Sequence, residues 1–148
     1  MPADAAAIAG ILRAAFAAYD GRLQPRPGAL SETADSIAAK LADHRAILAE
    51  AAGAAVGSVV YRPDGDGLYL GRLGVLPAWR GQGVGAALVD AVAAAGRREG
   101  ARRVTLNVRI ALADNVDFFR RLGFREAGQG AHPGFDRPTY WVMLRELG

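Results

Sequence analysis

Cysteine is absent from all 148 residues. Disulfides, thiolate metal sites and a cysteine nucleophile are therefore excluded. Lysine is nearly absent as well, because Lys40 stands alone and every other basic residue is arginine. Histidine occurs only at His44 and His132, which gives no support to a histidine metal site, and no metal is expected. No stretch approaches the roughly 20 uncharged apolar residues of a membrane span, so no membrane partner is expected. The opening Met1-Pro2-Ala3-Asp4 lacks a basic segment, and Arg13 interrupts the apolar run behind it. A signal peptide is not expected on that pattern, and a cytoplasmic location is the default. Acidic residues are missing from the whole of Leu68 to Val75.

Against these absences, hydrophobic residues make up 51% of the chain. A chain of this length is expected to be one domain, 1–148, burying about two-thirds of its unfolded surface. The net charge is +3. Its arginines come in scattered pairs, Arg97-Arg98, Arg102-Arg103 and Arg120-Arg121. A nucleic-acid binder concentrates such charge on one face or helix, so no nucleic-acid partner is expected. A modest positive field suits a polyanionic small ligand.

Periodicity divides the chain into elements. Residues 3 to 19 place Ile8, Ile11, Leu12, Phe16 and Tyr19 at helical spacing, with Asp4 as a cap. Gly21 to Gly28 is a loop. Ser31 is expected to cap a second helix running to about Asp43, with Glu32 favourable in its first turn. Ala46 to Glu50 and Val56 to Arg62 are expected strands around an Ala52-Gly53 turn. Pro63 to Gly67 is a hairpin loop, followed by a strand over Leu68 to Val75. A helix carrying Val84, Leu88, Val89 and Val92 ends near Gly100. Val104 to Ile110 is the next strand, and Asp114 or Asn115 caps a short helix closed by Gly123. A strand from Phe124, a loop over Gly128 to Pro138 and a strand over Thr139 to Leu147 complete the chain. The order α-α-β-β-β-α-β-α-β-β predicts an α/β fold with a mixed central sheet and helices on both faces.

The chemistry concentrates between the third strand and the helix after it. Arg80-Gly81-Gln82-Gly83-Val84-Gly85 follows Leu76-Pro77 and opens directly into that helix. Glycines admit a positive φ and close backbone approach. Placed before a helix, they aim free N–H groups and the positive end of the helix dipole at one point, which suits a phosphate or pyrophosphate. The turn lacks the Gly-Lys-Ser/Thr ending of a P-loop and the third-glycine spacing of a dinucleotide fingerprint. The whole frame, Arg80-x-x-Gly83-x-Gly85 after Leu73-Gly74-Val75-Leu76-Pro77, resembles the acetyl-CoA signature of the GNAT superfamily of N-acetyltransferases. Asn115-Val116-Asp117-Phe118-Phe119-Arg120-Arg121-Leu122-Gly123-Phe124 is similar to the helix that closes that family's cofactor site.

The resemblance covers nearly the whole chain and implies a GNAT-like, mostly antiparallel sheet. Members usually begin with a short edge strand, which is missing here. It further implies an acetyl-CoA-dependent acyltransferase that acetylates a primary amine of a small-molecule or peptide acceptor, with a homodimer as one expected assembly. By the resemblance, acetyl-CoA would be held by Leu73, Val75, Arg80, Gly81, Gln82, Gly83, Val84 and Gly85, with Asn115 and Phe119 on the closing helix. Asn115 also reads as a helix cap. Many members place a tyrosine where this chain has Phe119, and that hydroxyl protonates the departing thiolate. Members also often carry a carboxylate base on the third strand, where none exists here. Candidates for proton transfer are therefore His132, Glu32 and Tyr140, with Glu50 a solvated charge beside a turn. His132 titrates in a suitable range but equally reads as a turn residue. The vacant acid and base positions motivate a rival reading, a non-catalytic CoA-binding sensor or interaction module on the same fold.

Overall fold

The computed structural model describes residues 2–148. Its elements run α1 (Pro2–Phe16), α2 (Ala34–Lys40), β1 (Arg45–Ala51), β2 (Ala54–Asp64), β3 (Gly67–Val75), α3 (Val84–Arg98), β4 (Arg103–Arg109), α4 (Ala113–Arg121), β5 (Arg125–Gly130) and β6 (Tyr140–Glu146). Short 3-10 turns cover Ala17–Tyr19, Gly28–Ser31 and Pro77–Trp79. This is the expected order of elements, and among the described residues no strand precedes α1. The strands form a six-stranded, mostly antiparallel sheet in the order β1-β2-β3-β4-β6-β5. Among the described residues no helix is long and apolar enough to cross a membrane.

The chain divides into two compact units, one running to Arg62 and taking up again at Leu70–Val92, the other Pro63–Tyr69 with Ala93–Gly148. In the first, Ala5, Ile8, Ala9 and Leu12 recur at helical spacing on α1 and are buried with Ala29, Ile37 and Val60. Alanine at successive turns, Ala5 and Ala9, lets α1 sit close to the strands. A Cβ added at Gly74 of β3 would lie 3.1 Å from Leu12 and 3.3 Å from Ala15. On β2, a Cβ at Gly57 would lie 2.8 Å from Val84 and 3.1 Å from Leu88 of α3. α3 is thereby seated on β2 at its own first turns.

Three helix boundaries differ from expectation. Asp4 lies within the first turn of α1 rather than before it. Thr33, not Ser31, caps α2. The Ser36 amide donates to Thr33 Oγ1 at 3.1 Å and the Thr33 amide to Ser36 Oγ at 2.8 Å. A reciprocal capping box needs a polar side chain three residues on, which Ser36 supplies for Thr33 and Ala34 cannot supply for Ser31. At α4 neither Asp114 nor Asn115 is the cap. The amides of Asn115 and Val116 both donate to Leu112 O, so the helix starts earlier and both residues lie inside its first turn.

In the second unit β6 lies between β4 and β5, pairing Arg109 with Tyr140 on one side and Gly130 with Tyr140 on the other. The β5 ladder continues to Gly130, beyond the Gly128 expected to begin a loop. A register shift between Glu126 and Gly128 absorbs the extra residue. α3 and α4 end alike. Gly100 and Gly123 take φ of 76° and 92°. The next amides, Ala101 and Phe124, reach back to Gly96 O at 2.8 Å and Phe119 O at 3.0 Å. Both are Schellman stops, and glycine suits them because the left-handed backbone conformation strains any residue that carries a Cβ.

Candidate active site

The third strand delivers the chain to the glycine turn in an ordered way. Leu73 and Val75 are half-buried in β3, and the Leu76 amide donates to Val56 O at 2.9 Å. Pro77 opens the short turn to Trp79. Gly81 and Gly83 then take φ of 74° and 84°, and a Cβ at either would meet nothing within 4 Å. The two are glycine for their backbone conformation, and open space lies over both. The Ala87 amide donates to Gly83 O at 3.0 Å, which makes Gly83 the N-cap of α3. Val84, Gly85 and Ala86 are the first residues of the helix, where amides have no intrahelical acceptor.

Two side chains hold the turn to the rest of the first unit. Arg80 donates to Ala15 O, near the end of α1, and Gln82 Nε2 donates to Ala78 O at 3.3 Å. Arg80 and Gln82 are both exposed. The result is a glycine-walled cradle at the N-terminus of a 15-residue helix. A helix of that length carries a dipole that favours a bound anion at this end.

The profile of the GNAT acetyltransferase family matches residues 11–124, from α1 through the end of α4. The chain belongs to that family. The solved structures similar to this GNAT chain include nourseothricin acetyltransferase, 27% identical over 72% of this chain with a TM-score of 0.66. This chain spans 66% of that one, just under two thirds of its length. The PaiA N-acetyltransferase of Thermoplasma acidophilum, solved with coenzyme A, is 14% identical with a TM-score of 0.83, covering 98% of this chain and 94% of its own. A Desulfovibrio desulfuricans protein assigned to the GNAT family is 18% identical with a TM-score of 0.82, covering 100% and 95%. At those identities the last two speak for the fold alone. No curated protein sequence matches.

The segment that resembles the family's closing helix forms α4, in the second unit. Asn115 is half-buried in its first turn, and Phe119 is buried on the same face one turn later. The Phe119 ring stands edge-on to Phe118 at 5.1 Å and to Phe124 at 5.7 Å. It is a packing residue with no proton to give.

Among the proton-transfer candidates, Glu32 has surroundings unlike those of a base. It is 4% exposed, one of two buried polar residues in the chain's described part. Ser36 Oγ donates to its Oε1 at 2.6 Å, and Arg72 Nε and Lys40 Nζ donate to Oε2, Arg72 at 3.1 Å. Arg13 donates to its backbone oxygen at 2.7 Å. Burial alone would raise the Glu32 pKa, but the hydrogen bonds from Lys40, Ser36 and Arg72 outweigh it and bring it to about 2. A carboxylate held that low is a poor proton acceptor near neutral pH. Through Arg72, Glu32 ties the segment before α2 to β3. Arg72 was missed in the sequence. Its signal was there, since it is the one charge in the run from Leu68 to Val75.

His132 and Tyr140 come together in the second unit. Their rings meet edge to face with centroids 5.2 Å apart. Tyr140 lies over Gly130, its cross-strand partner, where an added Cβ would collide with the ring. The His132 amide donates to Thr139 Oγ1 at 2.9 Å, and its ring Nδ1 contacts the same oxygen. Burial, and then the positive charge of Arg109, lower the His132 pKa below its ordinary value. Both effects favour the neutral form of the imidazole. Glu50 is exposed at the edge of a turn, as expected of a solvated charge.

Proposed function

We propose that this GNAT-family acetyltransferase moves an acetyl group from acetyl-CoA directly to a primary amine, with His132 as the general base. The observation that carries the reading is the pair Gly81 and Gly83, held at positive φ with open space over them at the N-terminus of α3. A pyrophosphate fits such a cradle, because the amides of the first turn donate without competition from side chains. Membership of the GNAT acetyltransferase family supports CoA as the occupant, and the PaiA N-acetyltransferase was solved with coenzyme A.

When bound, acetyl-CoA supplies an acetyl group activated as a thioester. On this reading Arg80, Gly81, Gln82, Gly83, Val84 and Gly85 hold its pyrophosphate. Backbone groups of Leu73 and Val75 engage the pantetheine arm. Holding both reactants in line contributes as much as about 7–11 kcal/mol in favourable systems. The amine nitrogen forms the bond to the acetyl carbon as the carbon–sulfur bond breaks, and the amine proton passes to His132. Sulfur leaves as thiolate. Phe119 offers no acid, and none is required, since a thiol pKa of roughly 8.5 makes the thiolate a workable leaving group. Tyr140 serves as the wall that fixes the imidazole, and Glu32 takes no part in proton transfer.

The buried Phe119 also favours one rival, a CoA-binding module without turnover. Thiol release from acetyl-CoA, measured over a panel of small amines, amino acids and peptide N-termini, separates the two. Amine-dependent release that falls about 10²–10⁴-fold in His132→Ala supports the proposal. Tight acetyl-CoA binding with no release on any amine overturns it in favour of the rival. Undiminished release in His132→Ala overturns the base assignment.

A further inference from the structure

Thr139 stands immediately before β6, and its backbone is held from two sides. Its amide donates to Gly130 O at 2.8 Å, and its carbonyl accepts from the Ile110 amide at 3.0 Å. A hydroxyl on so constrained a residue has few positions available. That hydroxyl accepts from the His132 amide at 2.9 Å and contacts Nδ1 of the same residue. The imidazole also packs against Tyr140, whose ring stands at 76° to it. Tyr140 is itself seated on Gly130. The charged group acting on the ring from the neighbouring strand is Arg109.

A threonine hydroxyl has one proton and two acceptor lone pairs. The His132 amide occupies one lone pair. Two arrangements remain for Nδ1. Either the hydroxyl donates to Nδ1, which leaves the ring proton on Nε2, or Nδ1–H donates to the second lone pair, which leaves Nε2 free. Only the second lets the ring accept a proton, because Nδ1 is occupied in both.

We propose that Thr139 is the positioning residue of the base: its hydroxyl accepts from Nδ1–H of His132 and so presents Nε2, unprotonated, to the acceptor amine. This rests on the reading of His132 as the base. It implies a substrate whose ammonium or amine nitrogen approaches Nε2 directly or through one water. After the transfer Nδ1–H keeps its acceptor, so the imidazolium forms without turning the ring.

The test is nitrogen-15 spectroscopy of the imidazole rings at a pH above the His132 titration. The chain has two histidines, so His132→Ala assigns the signals by subtraction. In the wild type the neutral His132 ring should carry its proton on Nδ1. Thr139→Val keeps the β-branched shape and removes the hydroxyl. It should shift the ring toward the Nε2–H form and lower kcat by roughly tenfold or more, a part of the about 10²–10⁴ that a positioned base contributes. KM for acetyl-CoA should hold. Thr139→Ser should restore both tautomer and rate. A wild-type ring protonated on Nε2 overturns the proposal, and so does a Thr139→Val enzyme with unchanged tautomer. If the tautomer behaves as stated while His132→Ala keeps full activity, the positioning stands and the base reading is what fails.

Discussion

Phe119 and Phe124 meet edge to face, ring centroids 5.7 Å apart, while the Phe124 amide donates to Phe119 O at 3.0 Å. The two contacts are one device. In a Schellman stop the residue past the glycine returns to the third residue from the helix end, and an apolar contact between those side chains closes the turn. Position 119 therefore ends a helix by packing.

That packing gives a stability prediction. Phe119 is 8% exposed, so Phe119→Ala should cost about 3–5 kcal/mol. In a chain of this size each kcal/mol lowers Tm by roughly 2–4 °C. Thermal denaturation should therefore show a fall of roughly 6 °C or more. A change within a degree or two would mean that Phe119 does not close α4.

The glycine cradle is tested by contrast with an ordinary helical glycine. Gly83 at φ 84° cannot take a β-branched residue without strain. Gly83→Val should weaken acetyl-CoA binding more than tenfold by calorimetry, a loss of about 1.4 kcal/mol or more. Gly10 lies inside α1 with nothing within 4 Å of an added Cβ. Gly10→Ala should raise stability by about 0.4–1 kcal/mol and leave that affinity alone. Equal affinities in the two variants would remove the turn from the cofactor site.

Glu32 makes the fold acid-sensitive in a defined window. Its pKa falls from 4.5 to about 2 on folding, a difference worth about 3 kcal/mol. A depressed carboxylate stabilises the fold fully above its unfolded value, and that stabilisation is lost as pH falls from near 4.5 toward 2. Denaturant titrations of wild type and Glu32→Gln should differ at pH 7 and converge through that range. A gap that stays constant with pH would show that charge on Glu32 is not what stabilises its cluster.

The His132 assignment fixes the acidic side of the rate profile. Its pKa is lowered by burial and then by Arg109, so the base form persists below the ordinary value of 6.5. kcat/KM should fall on acidification only below that value, as the ring protonates. Arg109→Gln should move the limb toward higher pH. A limb that does not respond to Arg109→Gln would place the titrating group elsewhere.

Much of the fold was legible because its determinants are local. The α1 core face follows from Ala5, Ile8, Ala9 and Leu12 at helical spacing, and the α3 and α4 stops from Gly100 and Gly123. The glycine turn announced itself by spacing. Other features depended on partners that no local pattern names. Ser31 and Thr33 look alike as caps until Ser36 is seen to answer only one of them. Glu32 read as a first-turn acid, yet its partner Arg72 is 40 residues away. Thr139 carried no signal, since a threonine before a strand is ordinary until a histidine folds back on it.

The sequence by itself determined the family, the order of helices and strands, and the cradle at Gly81 and Gly83. Hydrophobic period and a glycine's backbone freedom are properties of neighbouring residues and are written where they act. Only the tertiary structure decided that β6 runs between β4 and β5, that Glu32 is clamped by Lys40 and Arg72, and that His132 leans on Thr139. Those outcomes depend on which distant groups satisfy a buried charge or an unpaired donor, and that pairing exists only once the chain has folded.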